Sequence, residues 1–572
     1  MALLLAPLAL ATALTWLDPA AVHVGDKGVC VTEWTGGERR EIPVEVLGTL
    51  DAFGPERSAI LIRLSDPRSA GSGVAAGMSG SPVYLDGKLL GAVAFGWAFA
   101  KEPLAGVTPF ATMHRVSAGG KAADAGAPTV AQLAALASGD GSPLAVLPHL
   151  PPRDGFGPQL AAVGGLPVSG SFPGEVLAAM GLRAVPAGGG DVPEAAPGPG
   201  DMLAVLLVWG DATIAAGGTV TAREGDRLWA FGHPLFALGK VRLPVARARV
   251  LAVQDSYQNP FKLFAVGKQF GTLVADRPAG VLALAGERAA GVPVTMTVHD
   301  AAGSATWRFR IAETPLLQPL LVTFLTSASL TARGAAVGEA AVRLALTAHL
   351  SDGREVHLEQ AAQGVDAVAR LSAFAGGVVG LLANSPFPHP AVAEIEATLA
   401  HEEAPHGITI MEAVPVTTSV NPGEELPLTI RLQPYLGRPT ERRVTIRVPA
   451  SALPGPLDLV VADGASWSAY RLRADALVAT DFAGELAQLA RLESSTTMVV
   501  ALEARERGAA LPGASEPGVP PSWSATLATG LGARALTRLS TNVIAADRLL
   551  GDVPLEGTAR VSLTVRESPE VP

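Results

Sequence analysis

The chain holds a single cysteine, Cys30, among 572 residues. That excludes an internal disulfide and any zinc site built from a cysteine cluster. In Gly28-Val29-Cys30-Val31 it reads as a small apolar residue of a strand. Aromatic residues are scarce at 5%, although 48% of the chain is hydrophobic, so the cores are built from Ala, Val and Leu. A basic cluster is missing as well: the net charge is −10, which argues against nucleic acid as a partner. Beyond the first residues no run approaches the roughly 20 apolar residues that span a bilayer. Gly376–Ala383 is too short. No residue pattern asks for a metal or another cofactor.

What the chain does have is length and turns. It is long enough for three or four domains, each with a full core. Its 63 glycines and 46 prolines suit a mainly β protein. Met1–Leu17 carries no charge, is rich in Leu and Ala, and contains the small-x-small pattern Ala11-Thr12-Ala13. This reads as a signal peptide, although no Lys or Arg precedes it; an apolar helix or anchor is the alternative. The expectation is a secreted, periplasmic or cell-envelope protein, with peripheral envelope association compatible with it.

The most informative stretch is Gly77-Met78-Ser79-Gly80-Ser81-Pro82, followed by Val83-Tyr84-Leu85-Asp86-Gly87-Lys88-Leu89-Leu90-Gly91-Ala92-Val93. A serine in a glycine-rich turn between apolar strands can expose a nucleophile and two backbone donors together. Gly77 and Gly80 permit φ values that other residues avoid. The amides of Gly77 and Ser79 are the expected oxyanion hole beside the Ser79 hydroxyl. A plain hairpin loop is the competing reading.

A serine needs a base, usually a histidine held by a carboxylate. Of ten histidines, His233 has the most constrained setting, at the end of Leu228-Trp229-Ala230-Phe231-Gly232-His233-Pro234. Pro234 restricts it to an extended backbone, and a polar ring there needs a partner. His23 and His114 show no comparable constraint. His299, His349 and His357 read as solvated, and His389, His401 and His406 as surface. For the acid, Asp66 in Leu64-Ser65-Asp66-Pro67 and Asp276 in Val274-Ala275-Asp276-Arg277-Pro278 compete. Either also suits a turn.

The Gly-Met-Ser-Gly-Ser-Pro motif with its following Gly-Lys-Leu-Leu-Gly-Ala-Val resembles the serine peptidase family of the sporulation stage IV protein B. The resemblance covers roughly residues 22–116 and 201–311. It implies Ser79 as nucleophile, Asp66 of the Asp-Pro element as acid, and His233 of the Phe-Gly-His element as base. It further implies a trypsin-like double β-barrel, a protein or peptide substrate, and no cofactor. The chain departs from the family in order, since the serine half here precedes the histidine half. It therefore resembles a circular permutation, which need not abolish a triad defined by geometry.

The expected organisation is a signal peptide over 1–17 and a serine/aspartate half over 18–150. A helix and Pro/Gly linker over 151–200 leads to a histidine half over 201–337. A β-rich module with one helix follows over 338–415, and an immunoglobulin-like β-sandwich over 416–572. The expected function is that of an exported serine endopeptidase working through Ser79, His233 and Asp66. The alternative is an inactive or once-only self-cleaving surface protein that acts by binding.

Overall fold

The computed structural model describes residues 14–566 except 51–57, 66–72, 98–100, 124–125, 152–156, 169–171, 257, 259, 335–337, 403–405, 476, 506–507, 512–513, 517–518, 520–521, 524–525 and 527–536. The chain is mainly β, as its turn-rich composition predicts. Six strands come first: β1 (Lys27–Glu33), β2 (Arg39–Leu50), β3 (Ala59–Leu64), β4 (Pro82–Leu85), β5 (Lys88–Gly96) and β6 (Leu104–Pro109). They close into a barrel in the order β1-β2-β3-β6-β5-β4. Alternating residues such as Ile42, Val44, Val46, Ile60, Ile62 and Leu64 fill its interior, the period-2 pattern of strands with one buried face.

The next strands are β7 (Gln159–Gly164), β8 (Leu182–Pro186), β9 (Met202–Gly210), β10 (Thr213–Glu224), β11 (Arg227–Ala230), β12 (Gly239–Gln254), β13 (Phe261–Arg277) and β14 (Gly280–Ala285). Pairings β9–β10, β10–β11, β11–β14, β14–β13, β13–β12 and β12–β9 close a second ring of six. Taken in chain order, its strands follow one another around the ring just as those of the first barrel do. In both barrels the third and fourth strands, β3/β4 and β11/β12, are joined by a loop. The Gly-Met-Ser-Gly turn lies in one of these loops and His233 in the other.

The sheet continues past the second barrel. Strands β15 (Gly291–Asp300), β16 (Gly303–Ala312), β17 (Ala340–Leu350), β18 (Glu355–Gly364) and β19 (Val392–Glu402) extend it through the β16–β9 pairing, without interruption at residue 338. Strand β9 is buried from Met202 to Val208 because both faces are covered. Leu203, Val205 and Leu207 enter one core while Met202, Ala204 and Leu206 enter another. Helices Gln318–Ala332 and Ala367–Ala383 pack on this sheet and on each other, buried almost all round. A Cβ on Gly376 would stand 1.9 Å from Thr323 Oγ1, so glycine is what lets the two helices meet. Among the described residues no helix is long and apolar enough to cross a membrane.

From Ile408 to Val565 two sheets, of four and five strands, share one core containing Ile410, Leu428, Ile430, Leu459, Val461, Val500 and Leu502. Beside it lies a buried charge cluster. Glu503, fully buried, accepts from Tyr470 Oη at 2.9 Å and pairs with Arg471 at 2.7 Å and Arg560 at 3.1 Å. Without Glu503 each arginine keeps another carboxylate, Arg471 that of Asp475 and Arg560 that of Asp458. Glu503→Ala is therefore expected to lower unfolding stability by about 1–3 kcal/mol, through the buried hydrogen bonds left unmade, read by urea denaturation.

Candidate functional site

The Ser79 loop, Ala76–Ser81, leads into β4 of the first barrel and is gripped by the second barrel. Gly77 and Gly80 both adopt φ of +94°, the left-handed region that favours glycine. The loop's carbonyls turn back onto β10. The Thr219 hydroxyl donates to Gly77 O at 2.9 Å, Thr219 N to Ser79 O at 2.7 Å, and the Thr221 hydroxyl to Gly80 O at 2.8 Å. The amides of Ala76, Met78, Gly80 and Ser81 each donate to a backbone carbonyl. Among the described residues the amides of Gly77 and Ser79 donate to none. With its carbonyls pinned on one side, the loop has these two N–H groups left to offer, one residue apart. Ser79 itself is half-buried.

The histidine loop meets the serine loop through the same strand. Phe231 N donates to Thr219 O at 3.3 Å, so the backbone of Thr219 bonds both Ser79 and Phe231. The Thr108 hydroxyl of the first barrel donates to Gly232 O at 2.7 Å. Approach is close: a Cβ on Gly80 would lie 1.9 Å from Thr219 O and 2.5 Å from Phe231 N. Phe231 is held at φ +70°, with Gly232 N donating to Ala230 O across it at 2.9 Å. That is a strained turn, and strain of this kind clusters where a side chain must be aimed. The fully buried Phe231 ring lies against Gly218, where a Cβ would come within 2.2 Å of it.

His233 is 4% exposed, and its Nδ1 lies 2.8 Å from Pro234 O. A carbonyl only accepts, so this bond places the proton on Nδ1 and leaves the lone pair of the neutral ring on Nε2. Asp276, at the end of β13, is 1% exposed. It accepts from Leu235 N at 2.7 Å, Phe236 N at 2.7 Å and Leu238 N at 3.1 Å. It thus clamps the turn that follows His233. Asp66 lies outside the described residues.

The other histidines fall mostly where the sequence suggests. His299 and His357 are exposed and His349 partly so. His401 corrects a surface reading: it is 4% exposed in β19, because the Glu-rich segment pairs into the sheet rather than looping over it. His114, unremarkable in sequence, stacks on Trp229 with ring centroids 5.3 Å apart.

Sequence reasoning passed over Thr219 and Thr221, whose hydroxyls orient the serine loop. It also passed over Lys262, fully buried beneath that loop. Nothing in an alternating Phe-Lys-Leu-Phe strand distinguishes an inward lysine from a solvated one. No group of three or more metal-ligating side chains is found among the described residues. No protein-family model, no curated protein and no solved structure matches this chain.

Proposed function

We propose that the chain is a serine peptidase of the permuted, trypsin-like double-barrel type, related to the sporulation stage IV protein B family, and that it hydrolyses peptide bonds by acyl transfer. One observation carries the reading: among the described residues the amides of Gly77 and of Ser79 itself donate to no carbonyl, and the loop that holds them is bonded through Thr219 to the loop of a buried histidine. Two barrels with the same strand sequence, each contributing its third-to-fourth-strand loop, support the double-barrel part of it.

In this mechanism Ser79 Oγ attacks the substrate carbonyl carbon while His233 Nε2 takes the hydroxyl proton. The oxyanion is held by the Gly77 and Ser79 amides. Loss of one such donor typically costs about 10²–10³ in rate. The C–N bond then breaks and His233 returns its proton to the leaving amine. Water, deprotonated by the same ring, releases the acyl group and restores Ser79. The Pro234 carbonyl holds the tautomer and Asp276 holds the turn. In the family resembled, Asp66 supplies the acid.

The test is cleavage of an unfolded protein such as casein by the purified chain, with Ser79→Ala as control. Loss of cleavage in the variant is expected; full activity in it overturns the reading. Asp276 and Asp66 separate in the same assay. An amide at 276 keeps a single acceptor oxygen where two now serve three N–H groups. Asp276→Asn is therefore expected to lower kcat by about 100-fold through misplacement of His233. A kcat unchanged by Asp276→Asn and lost with Asp66→Asn would return the orienting role to Asp66.

Cutting in the Pro/Gly segment 186–200 has little to favour it. Gly188 N donates to Phe264 O at 2.9 Å, and Arg249 and Arg247 donate to Asp191 O and Ala195 O. A segment tied down along its length is a poor substrate. Export belongs to the proposal on the strength of Met1–Leu17 alone.

A further inference from the structure

Lys262 is a fully buried lysine that the mechanism above does not use. It opens β13 in the second barrel, and its side chain passes under the serine loop into the first. At the start of the loop Lys262 N donates to Ala76 O at 3.0 Å, and Ala76 N donates to Pro260 O at 2.8 Å. The Lys262 stem fills the space beside Gly77, where a Cβ would sit 3.1 Å from Lys262 Cδ. At the end of the loop the Ser81 hydroxyl donates to Thr32 Oγ1 at 2.8 Å, and Lys262 Nζ donates to the same oxygen at 2.8 Å. The start of Ala76–Ser81 is thus bonded to the Lys262 backbone, and its end is linked to the Lys262 ammonium through Thr32 Oγ1.

We propose that Lys262 is a positioning residue for Ser79, its stem bracing Gly77 and its ammonium holding the far end of the Ala76–Ser81 loop through Thr32, so that the Gly77 and Ser79 amides stay turned toward the substrate; as a role in catalysis this rests on the peptidase reading. A buried ammonium is a costly way to fill space, and a methionine would pack as well without it. A charge retained here is consistent with a role beyond packing.

The groups that face Lys262 are Cys30 and Glu33 on β1, with Asp201, ahead of β9, acting on Glu33. Burial pushes the Lys262 ammonium down to about 8, against the pull of Glu33 and Cys30. Burial pushes the Cys30 thiol up to about 12, so it keeps its proton through this range. Burial raises Glu33 too, against the amides of Met202 and Val250. Burial also acts to raise Asp201, but Arg39, the Gly198 amide and Arg247 outweigh it and hold the carboxyl low. The sign for stability follows. The folded chain sheds the Lys262 proton at about 8 and the unfolded chain at its ordinary 10.5, so the unfolded state binds more protons and stability rises with pH above 8. Cys30 opposes this only above its ordinary 9, where the unfolded thiol ionises first. Between pH 8 and 9, loss of the clamp's charge and loss of stability therefore run in opposite directions.

The experiment compares the full chain with Lys262→Met in two readouts. The first is the rate of Ser79 phosphonylation by a fluorophosphonate against pH. The wild type is expected to show an alkaline limb near pH 8 with no loss of fold. Lys262→Met is expected to react at least tenfold more slowly at pH 7, with that limb gone and its urea midpoint no lower. A variant with the wild-type rate and pH profile overturns the proposal. The second readout is amide hydrogen exchange at Met78, Gly80 and Ser81, which does not depend on activity. Lys262→Met is expected to speed exchange there at least tenfold and to leave β9–β14 unchanged. Unchanged exchange in the loop overturns the clamp. A wild type that never reacts with the probe, yet shows the exchange effect, overturns the peptidase reading and leaves the clamp standing.

Discussion

His233→Gln is expected to lower the rate of acylation at Ser79 by a factor on the order of 10⁶, leaving only what the oxyanion donors and substrate binding supply. The size of the effect follows from the division of labour at the site. A serine hydroxyl is a poor nucleophile unless its proton leaves as the new bond forms. In the neutral imidazole that donates from Nδ1 to Pro234 O, Nε2 is the basic nitrogen. A glutamine amide fills similar space and can still donate to the carbonyl, but it has no basic nitrogen. Stability should change little, because the turn is held by three amides on Asp276 and by the buried Phe231 ring. The measurement is kcat/KM on a peptide beside a urea midpoint. A variant that folds and retains a rate within tenfold of the wild type removes His233 from the mechanism.

Gly80→Ala is the second large effect, and it acts on the union of the barrels rather than on chemistry. The new methyl would stand 1.9 Å from Thr219 O and 2.5 Å from Phe231 N, both backbone atoms that cannot swing aside. The φ of +94° adds a strain that only glycine avoids. Overpacking of about 1–3 kcal/mol and a left-handed penalty of about 1–2 kcal/mol together predict roughly 2–5 kcal/mol of lost stability. Gly77→Ala has the same backbone angle but meets a flexible lysine stem at 3.1 Å, so it should cost less. Urea denaturation of both variants checks the order. Equal midpoints would mean that Gly80 is not where the two barrels press together.

Local chemistry was the legible part of this chain. The short helix Val130–Ala137 carries its start signal in its own residues, where Thr129 and Gln132 make a reciprocal cap. The one helix expected within 338–415 appears as Ala367–Ala383. Glycine spacing around Ser79 announced a turn with unusual φ, and both glycines adopt it. The mainly β class was legible for the same reason, because alternation and turns are local signals. What stayed hidden depends on partners far away in the chain. Thr219 reads as an ordinary strand residue until the serine loop, some hundred and forty positions earlier, is laid beside it. Glu33 alternates like a solvated residue but turns inward to accept from Val250 N and Met202 N. The run of one sheet from β9 through β16 to β19 is likewise invisible in sequence, since register between distant strands leaves no local trace. Candidate groups could be named from sequence; the strands that hold them together could not.

The most direct measurement treats the folded wild-type chain with a fluorophosphonate and locates the adduct by mass spectrometry, beside Ser79→Ala and His233→Gln. One adduct on Ser79 in the wild type, absent from both variants, is the predicted result, because only an assembled base and oxyanion hole make that hydroxyl reactive. A folded wild type that takes up no probe, or a Ser79→Ala chain that labels as well as the wild type, would contradict the peptidase reading and leave the two barrels a fold without that chemistry.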